Sequence, residues 1–313
     1  MNIAKSLKFR FRKIKNKIIT FPVSVLEKYK YNSINGGYIL AGGGGWSKNF
    51  GDALNTILIE FLSEKKIIHA DFLNVKKGDK IYIVIGSILQ WVKKPSVIWG
   101  AGFIAENSTL KSDKLEILAV RGPLTLKILE KEGYDTLGIA LGDPALLLPY
   151  MYFPDKKPKK FKVGLIPHYA DKNHDWIQKV QKQNKDLTVI DIMCGLDWKN
   201  FIDEILDCDI ILSSSLHGLI VSDAYGIPTQ WISFSNKVLG AGFKFEDYYE
   251  SINVDDYSCQ HININTNLDQ IIAKATFKPI NLDIPKLINS CPFITPKART
   301  KLHSNYKNIE ISS

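Results

Sequence analysis

The run Ser213, Ser214, Ser215, Leu216, His217, Gly218 sets one imidazole directly after three hydroxyls, where an apolar stretch ends and a helical pattern begins. "CDIILSS" reads as a strand and Leu216 to Ala224 as a helix, so His217 falls in the first turn of that helix. A cation is disfavoured at the positive end of a helix, while free amides and hydroxyls lie close by, so a neutral imidazole is expected there. Beside an anion site, such a ring suits proton transfer near neutral pH. Gly218 leaves room next to it. The plainer alternative is a histidine that caps or packs locally.

Other residues carry chemistry of the same kind. Arg121 ends an apolar strand just before Gly122 and Pro123, where a guanidinium and the start of a helix would together favour a carboxylate or phosphate; its alternative is an ion pair with a neighbouring carboxylate. The glycine loop "GGGGW", with Gly43 and Gly44, can bring backbone amides close to an anion, or can simply serve a tight strand-to-helix crossing. It lacks the full dinucleotide spacing and the phosphate-loop lysine. Asn49, Gly51 and Asp52 precede a helix, where Asp52 capping it is the default and holding a substrate hydroxyl is the second role. Asp143, before Pro144, reads as a cap or turn, and His168 follows another strand, where a lone histidine is often structural. No His, Asp or Glu cluster has metal-ligand spacing, so no metal and no cofactor are expected.

The elements that must hold these groups alternate strand and helix from residue 38 onward: "YILA", "KIYIVIGS", "PSVIWGAG", "LEILAVR" and "TLGIALGD" as strands, with helices at "GDALNTILIEFLSEK" and "GPLTLKILEKEG". A linker, "PYMYFPDKKPKKF", interrupts the rhythm, which then restarts with "KVGLIPHY", "DWIQKVQKQ", "DLTVIDI", "DWKNFIDEILD", "CDIILSS" and "PTQWISF". The fold class is therefore α/β, two Rossmann-like domains facing across a cleft. The segments are a basic N-terminal stretch (1–35), an N-terminal domain (36–150), a C-terminal domain (160–280) and a closing helix and tail (281–313), with the tail after Pro296 expected to fray.

Charge is unevenly placed. Lys5, Lys8, Arg10, Arg12, Lys13, Lys15, Lys17, Lys28 and Lys30 face only Glu27 in residues 1–30 and account for most of the net charge of +9. A nearly neutral body argues against nucleic acid as a partner. Ile3, Leu7, Phe11, Ile14 and Ile18 fall on one stripe among those cations, the pattern of a basic amphipathic helix that lies on an anionic membrane or packs on the body. No apolar run is long enough to span a bilayer, and the pattern is not that of a signal peptide. The four cysteines show no CxxC spacing, as expected of reduced thiols in the cytoplasm.

In order and spacing, "GGGGWSKNFGDALN", "VRGPLTLKILEKEG", "LGDPALLLP", "GLIPHYAD" and "SSSLHGLIVSDAYGIPTQWI" resemble the polysaccharide pyruvyl transferase family over roughly residues 37–235. The resemblance implies a GT-B-like fold and transfer of pyruvate from phosphoenolpyruvate onto two sugar hydroxyls as a cyclic ketal. It also implies a lipid-linked or polymeric sugar acceptor in cell-surface polysaccharide synthesis, and hence a peripheral place at the inner face of the cell membrane. Some branches carry Arg-Leu-His where this chain has Ser215, Leu216 and His217, which shifts donor anchoring onto Arg121. His217 is then the proton-transfer group, Ser213 to Ser215 and helix-start amides hold the anion, and the sugar enters near Gly43, Gly44, Asn49 and Asp52, with His168 also at the site. The competing readings are a glycosyltransferase using a nucleotide-sugar donor and a non-catalytic protein that binds anionic glycans or lipid.

Overall fold

Short runs rich in Ile, Val and Leu that are buried on both faces form parallel sheets covered by helices, and this chain builds two of them. The computed structural model describes residues 26–29, 31, 37–43, 47–235, 239–240 and 242–312. Residues 1–25, most of the expected basic amphipathic segment (1–35), and Gly44 of the glycine loop lie outside these.

The first sheet has six strands, β1 (Tyr38–Ala41), β2 (Lys66–His69), β3 (Ile81–Ile83), β4 (Ser96–Trp99), β5 (Leu115–Val120) and β6 (Ala140–Leu141), in the order β2-β1-β3-β4-β5-β6. The second has five, β7 (Phe161–Ile166), β8 (Leu187–Val189), β9 (Cys208–Ser213), β10 (Thr229–Ser233) and β11 (Gln260–His261), in the order β11-β10-β9-β7-β8. Every strand pairing is parallel. Chain direction across each sheet reverses at its first strand, between β1 and β3 and between β7 and β9, and ligands of doubly wound sheets bind outside the carboxyl ends at such a point. In the second sheet Ile166 pairs with Ser213, so His168 and Ser214 emerge together there.

The helices follow the expected starts and stops. The first, α1 (Phe50–Ser63), is capped by Asn49 and not by the expected Asp52, which lies inside its first turn, and α2 (Pro123–Lys131) begins on a proline whose missing N–H costs nothing at that position. In the C-terminal half come α3 (Asp175–Gln183), α4 (Trp198–Leu206), α5 (Leu216–Ala224) and α6 (Phe243–Ser251). Two further helices, α7 (Ile284–Asn289) and α8 (Pro296–Ser312), close the chain.

The halves share apolar surface. Phe50 of α1 stacks on Phe201 of α4 with ring centroids 4.3 Å apart, and both are buried beside Ile190, Ile192 and Leu216. Removing a ring of that size from such a site costs about 3–5 kcal/mol.

Three sequence expectations change. The tail after Pro296 is not frayed: α8 packs back on the N-terminal half, with Leu302 fully buried, Asn305 donating to the Tyr150 carbonyl at 2.7 Å and Tyr306 set edge-on to Tyr150. Strand β2 and helix α6 have no counterpart among the expected elements. The first is too short to show a period, and the second is aromatic and acidic rather than amphipathic.

Candidate functional site

The start of α1 is stitched to the C-terminal half. Asn49 accepts the Gly51 N–H with its side chain at 3.0 Å, the Phe50 N–H donates to the Ile192 carbonyl at 2.8 Å, and the Gly195 N–H donates to the Lys48 carbonyl at 2.7 Å. These bonds bring the first turn of α1 against the first turn of α5. The His217 ring lies directly on Gly51, at the place a Cβ would occupy, so only glycine admits it.

Two carboxylates lie near that ring. Asp143 caps the short helical turn Pro144–Leu147, its Oδ1 accepting the Ala145 N–H at 2.9 Å, and its Oδ2 stands 3.7 Å from His217 Nε2. The His217 side chain is 13% exposed and that of Asp143 1%. Nε2 itself is buried with no hydrogen-bond partner among the described residues. Asp52, next in the chain to Gly51, is also close enough for the His217 charge to act on its carboxyl. Burial raises the Asp52 carboxyl above the usual range, and the Ser47 hydroxyl and His217 pull it back. An imidazole of one half thus has two acidic groups of the other nearby. A ring that accepts a proton there gains a nearby counter-charge.

The serines before His217 divide by role. Ser213 is fully buried, accepts the Ser215 N–H at 3.0 Å and reaches the Ile166 carbonyl at 3.1 Å, so its hydroxyl shapes the turn and is not available as the expected anion ligand. Ser214 Oγ accepts the His168 N–H at 2.8 Å, which ties the two loops at the reversal point of the sheet. Leu216 is a core side chain, not a ligand. Ser215 is the N-cap of α5, yet its side chain makes no capping bond, so its hydroxyl remains beside the first-turn amides.

Arg121 requires a correction. It is 1% exposed, and every arm of its guanidinium is used: Nε donates to Asp247 Oδ2 at 2.9 Å, Nη1 to Ser87 Oγ at 2.6 Å and Nη2 to the Phe103 carbonyl at 2.7 Å. Asp247 belongs to α6 of the other half and also accepts the Thr125 N–H and hydroxyl at 2.9 and 2.7 Å, capping α2 from outside. Arg121 therefore clasps the two halves together, and its surroundings leave no open face for a donor anion.

A different cation lies nearby. Lys244, one turn before Asp247 on α6, is half-buried, sits 5.3 Å from the Phe245 ring centre and has no ion pair among the described residues. Burial, and next the charge of Arg121, push its ammonium down to about 8. Its charge is felt at His168, which burial and then Lys244 hold at about 4, so His168 is neutral at pH 7. Lys244, His168, Ser214 and the α5 start are thereby linked in space.

The N-terminal candidates are more ordinary. The Gly43 N–H faces the Asp71 carboxylate at 3.2 Å, so that amide already has an internal anion, and the Asn49 amide serves as a cap. Among the described residues no three His, Cys, Asp or Glu side chains converge as metal ligands would. Sequence reasoning missed Lys244 and Asp247 for want of any motif around them. It found Asp143 but gave it only the capping half of its role.

Comparison with known proteins agrees with the motifs. The profile of the family described as polysaccharide pyruvyl transferase matches residues 49–236, which contain both His217 and Asp143. An uncharacterized protein of Acanthamoeba polyphaga mimivirus is 30% identical over 247 residues, covering 77% of this chain and 84% of its own. The succinoglycan biosynthesis protein ExoV of Rhizobium meliloti (strain 1021) is 27% identical over 246 residues, 73% of this chain and 69% of its own. Among solved structures, a variant of the wall teichoic acid polymerase TagF aligns over 100% of this chain and 99% of its own, with 10% identity and a TM-score of 0.36.

Proposed function

The chain belongs to the polysaccharide pyruvyl transferase family, and on that premise we propose that it moves pyruvate from phosphoenolpyruvate onto two hydroxyls of a sugar in a polysaccharide precursor, forming a cyclic ketal and releasing phosphate. The observation that carries the reading is the His217 imidazole at a helix start, held on Gly51 beside Asp143, with Asp52 nearby, where the two halves meet. In this reading the halves act as a GT-B-like pair.

The chemistry needs a group that passes protons and a site that holds a trianion. One sugar oxygen bonds to the enol carbon as the methylene takes a proton to become methyl, and His217 moves that proton between the hydroxyl and the carbon. Asp143 and Asp52 stabilise the charge the ring gains in between. The carbon–oxygen bond to phosphate then breaks, the second hydroxyl captures the resulting cation, and its proton leaves with phosphate. Of the two hydroxyl protons one ends on the methyl group and one on phosphate, so the step balances without an oxidant or reductant.

Holding the donor falls to the first-turn amides of α5, the Ser215 hydroxyl and Lys244, in place of the occupied Arg121. The reacting sugar approaches from the N-terminal side, past Asp52. Among the described residues no helix is long and apolar enough to cross a membrane. The cations of residues 1–30 suit a lipid-linked acceptor at an anionic membrane surface, the inner face of the cell membrane in this reading. Deleting residues 1–25 should then reduce sedimentation with anionic vesicles, and undiminished sedimentation removes that part.

Thermal-shift measurement tests the donor. Phosphoenolpyruvate at a hundred times its dissociation constant stabilises the fold by about 2.7 kcal/mol. Stabilisation by nucleotide sugars instead would assign the site to glycosyl transfer.

A further inference from the structure

A cavity of about 380 Å³ opens toward the carboxyl end of the second sheet, beside the His217 cluster and separate from it. Its floor is aromatic: Trp231 lies flat on Phe245, with ring centroids 4.5 Å apart and planes at 15°. Its polar edge is made of Ser214, Ser233, Ser235 and His261, with Ser233 Oγ 2.7 Å from His261 Nδ1. None of its described lining residues is Asp, Glu, Lys or Arg. Behind Ser235, the buried Asp171 accepts the Ser235 hydroxyl at 2.7 Å through Oδ1, while its Oδ2 is buried without a hydrogen-bond partner.

That wall selects its ligand. A diphosphate or an enol phosphate taken out of water requires cations, and none of the described lining residues supplies one. A pyranose ring has what the wall can meet: a face of C–H groups for the Trp231 plane, and hydroxyls around its rim for serine and histidine. The volume admits one such ring with its substituents. Ser214 belongs both to this cavity and to the loop that carries Ser215 and His217, so a ligand here lies next to the reacting centre.

We infer that this cavity is a subsite for a neutral sugar ring of the acceptor, the neighbour of the ring whose hydroxyls react. The word acceptor rests on the proposed pyruvyl transfer; sugar binding in the cavity does not.

The test is saturation-transfer NMR on the full chain with methyl glucopyranoside, galactopyranoside and mannopyranoside, using uridine diphosphate and phosphoenolpyruvate as competitors. At least one glycoside should receive saturation on its ring protons, keep it when phosphoenolpyruvate is added, and lose it in Trp231→Ala and in Ser235→Ala. Ser235→Ala alone decides should Trp231→Ala fail to fold. Absence of binding by all three glycosides, binding that survives the substitutions, or displacement by uridine diphosphate overturns the inference. The two readings separate cleanly. Glycoside binding in a chain that does not consume phosphoenolpyruvate keeps the subsite and removes pyruvyl transfer. Turnover with a disaccharide acceptor whose KM neither substitution raises keeps the transfer and removes the subsite.

Discussion

His217 Nε2 and Asp143 Oδ2 stand 3.7 Å apart across the boundary between the two halves, and Nε2 has no hydrogen-bond partner among the described residues. A proton-transfer ring so placed depends on that carboxylate for orientation and counter-charge. Asp143→Asn keeps an acceptor for the Ala145 N–H, so the local turn survives while the charge is lost. It should lower kcat by about tenfold or more, short of the roughly hundredfold or greater loss in His217→Ala. Steady-state kinetics with unchanged melting curves would show this, and an Asp143→Asn enzyme of normal kcat would remove the carboxylate from the account.

Gly51 offers a sharper probe, because its only demand is space. Alanine suits a helix better than glycine by about 0.5–1 kcal/mol, but here its methyl group would occupy the ring of His217. Gly51→Ala should therefore lose at least about tenfold in kcat/KM while costing no more stability than the ~1–3 kcal/mol of one overpacked methyl group. Full activity would mean that the ring position does not matter.

Lys244 predicts a pH dependence. Its ammonium is held at about 8 in the folded chain, so the charge available to a donor anion is present below that value and disappears as pH rises through it. The kcat/KM for phosphoenolpyruvate should fall on the alkaline side of about 8, Lys244→Arg should move that limb upward, and Lys244→Met should raise KM with no such limb. Stability runs the other way. The unfolded chain keeps this proton up to about 10.5 and the folded chain releases it near 8, so the stability contributed by this group rises between those values, and Lys244→Met flattens the rise. A pH profile of KM identical in all three proteins would contradict the assignment.

The Arg121–Asp247 pair should act on folding rather than on donor affinity. Breaking a buried ion pair by removing one partner costs about 3–5 kcal/mol, because the other charge is left uncompensated. Arg121→Met and Asp247→Asn should each destabilise on that scale in urea titrations, and the double substitution should cost less than their sum. The KM for phosphoenolpyruvate in the folded fraction of Arg121→Met should change little; a large rise would return the arginine to the donor site.

Sheet by sheet, the architecture was legible because its signals are local. Apolar runs mark β1 and β3 to β10, and Pro123 and Asp143 announce starts that the structure keeps, while the cap of α1 falls to Asn49 and not Asp52. What stayed hidden arises between segments far apart in the chain. An arginine at a strand end reads the same whether it faces solvent or an aspartate 126 positions away, and Lys244 is one lysine among many until α6 is folded against Arg121. His217 was found by its place at a helix start; that Gly51 is the surface it rests on follows only from the meeting of two helices. The tail after Pro296 misled for the same reason, since its apolar partners lie on the other half of the sequence.

The most direct measurement incubates the full chain with phosphoenolpyruvate and a set of lipid-linked sugars, following phosphate release and product mass together. The account predicts phosphate in step with a sugar heavier by one pyruvic acid less one water, and neither signal in His217→Ala. Phosphate released without that mass gain, or ketal formed at the normal rate without the imidazole, would contradict it.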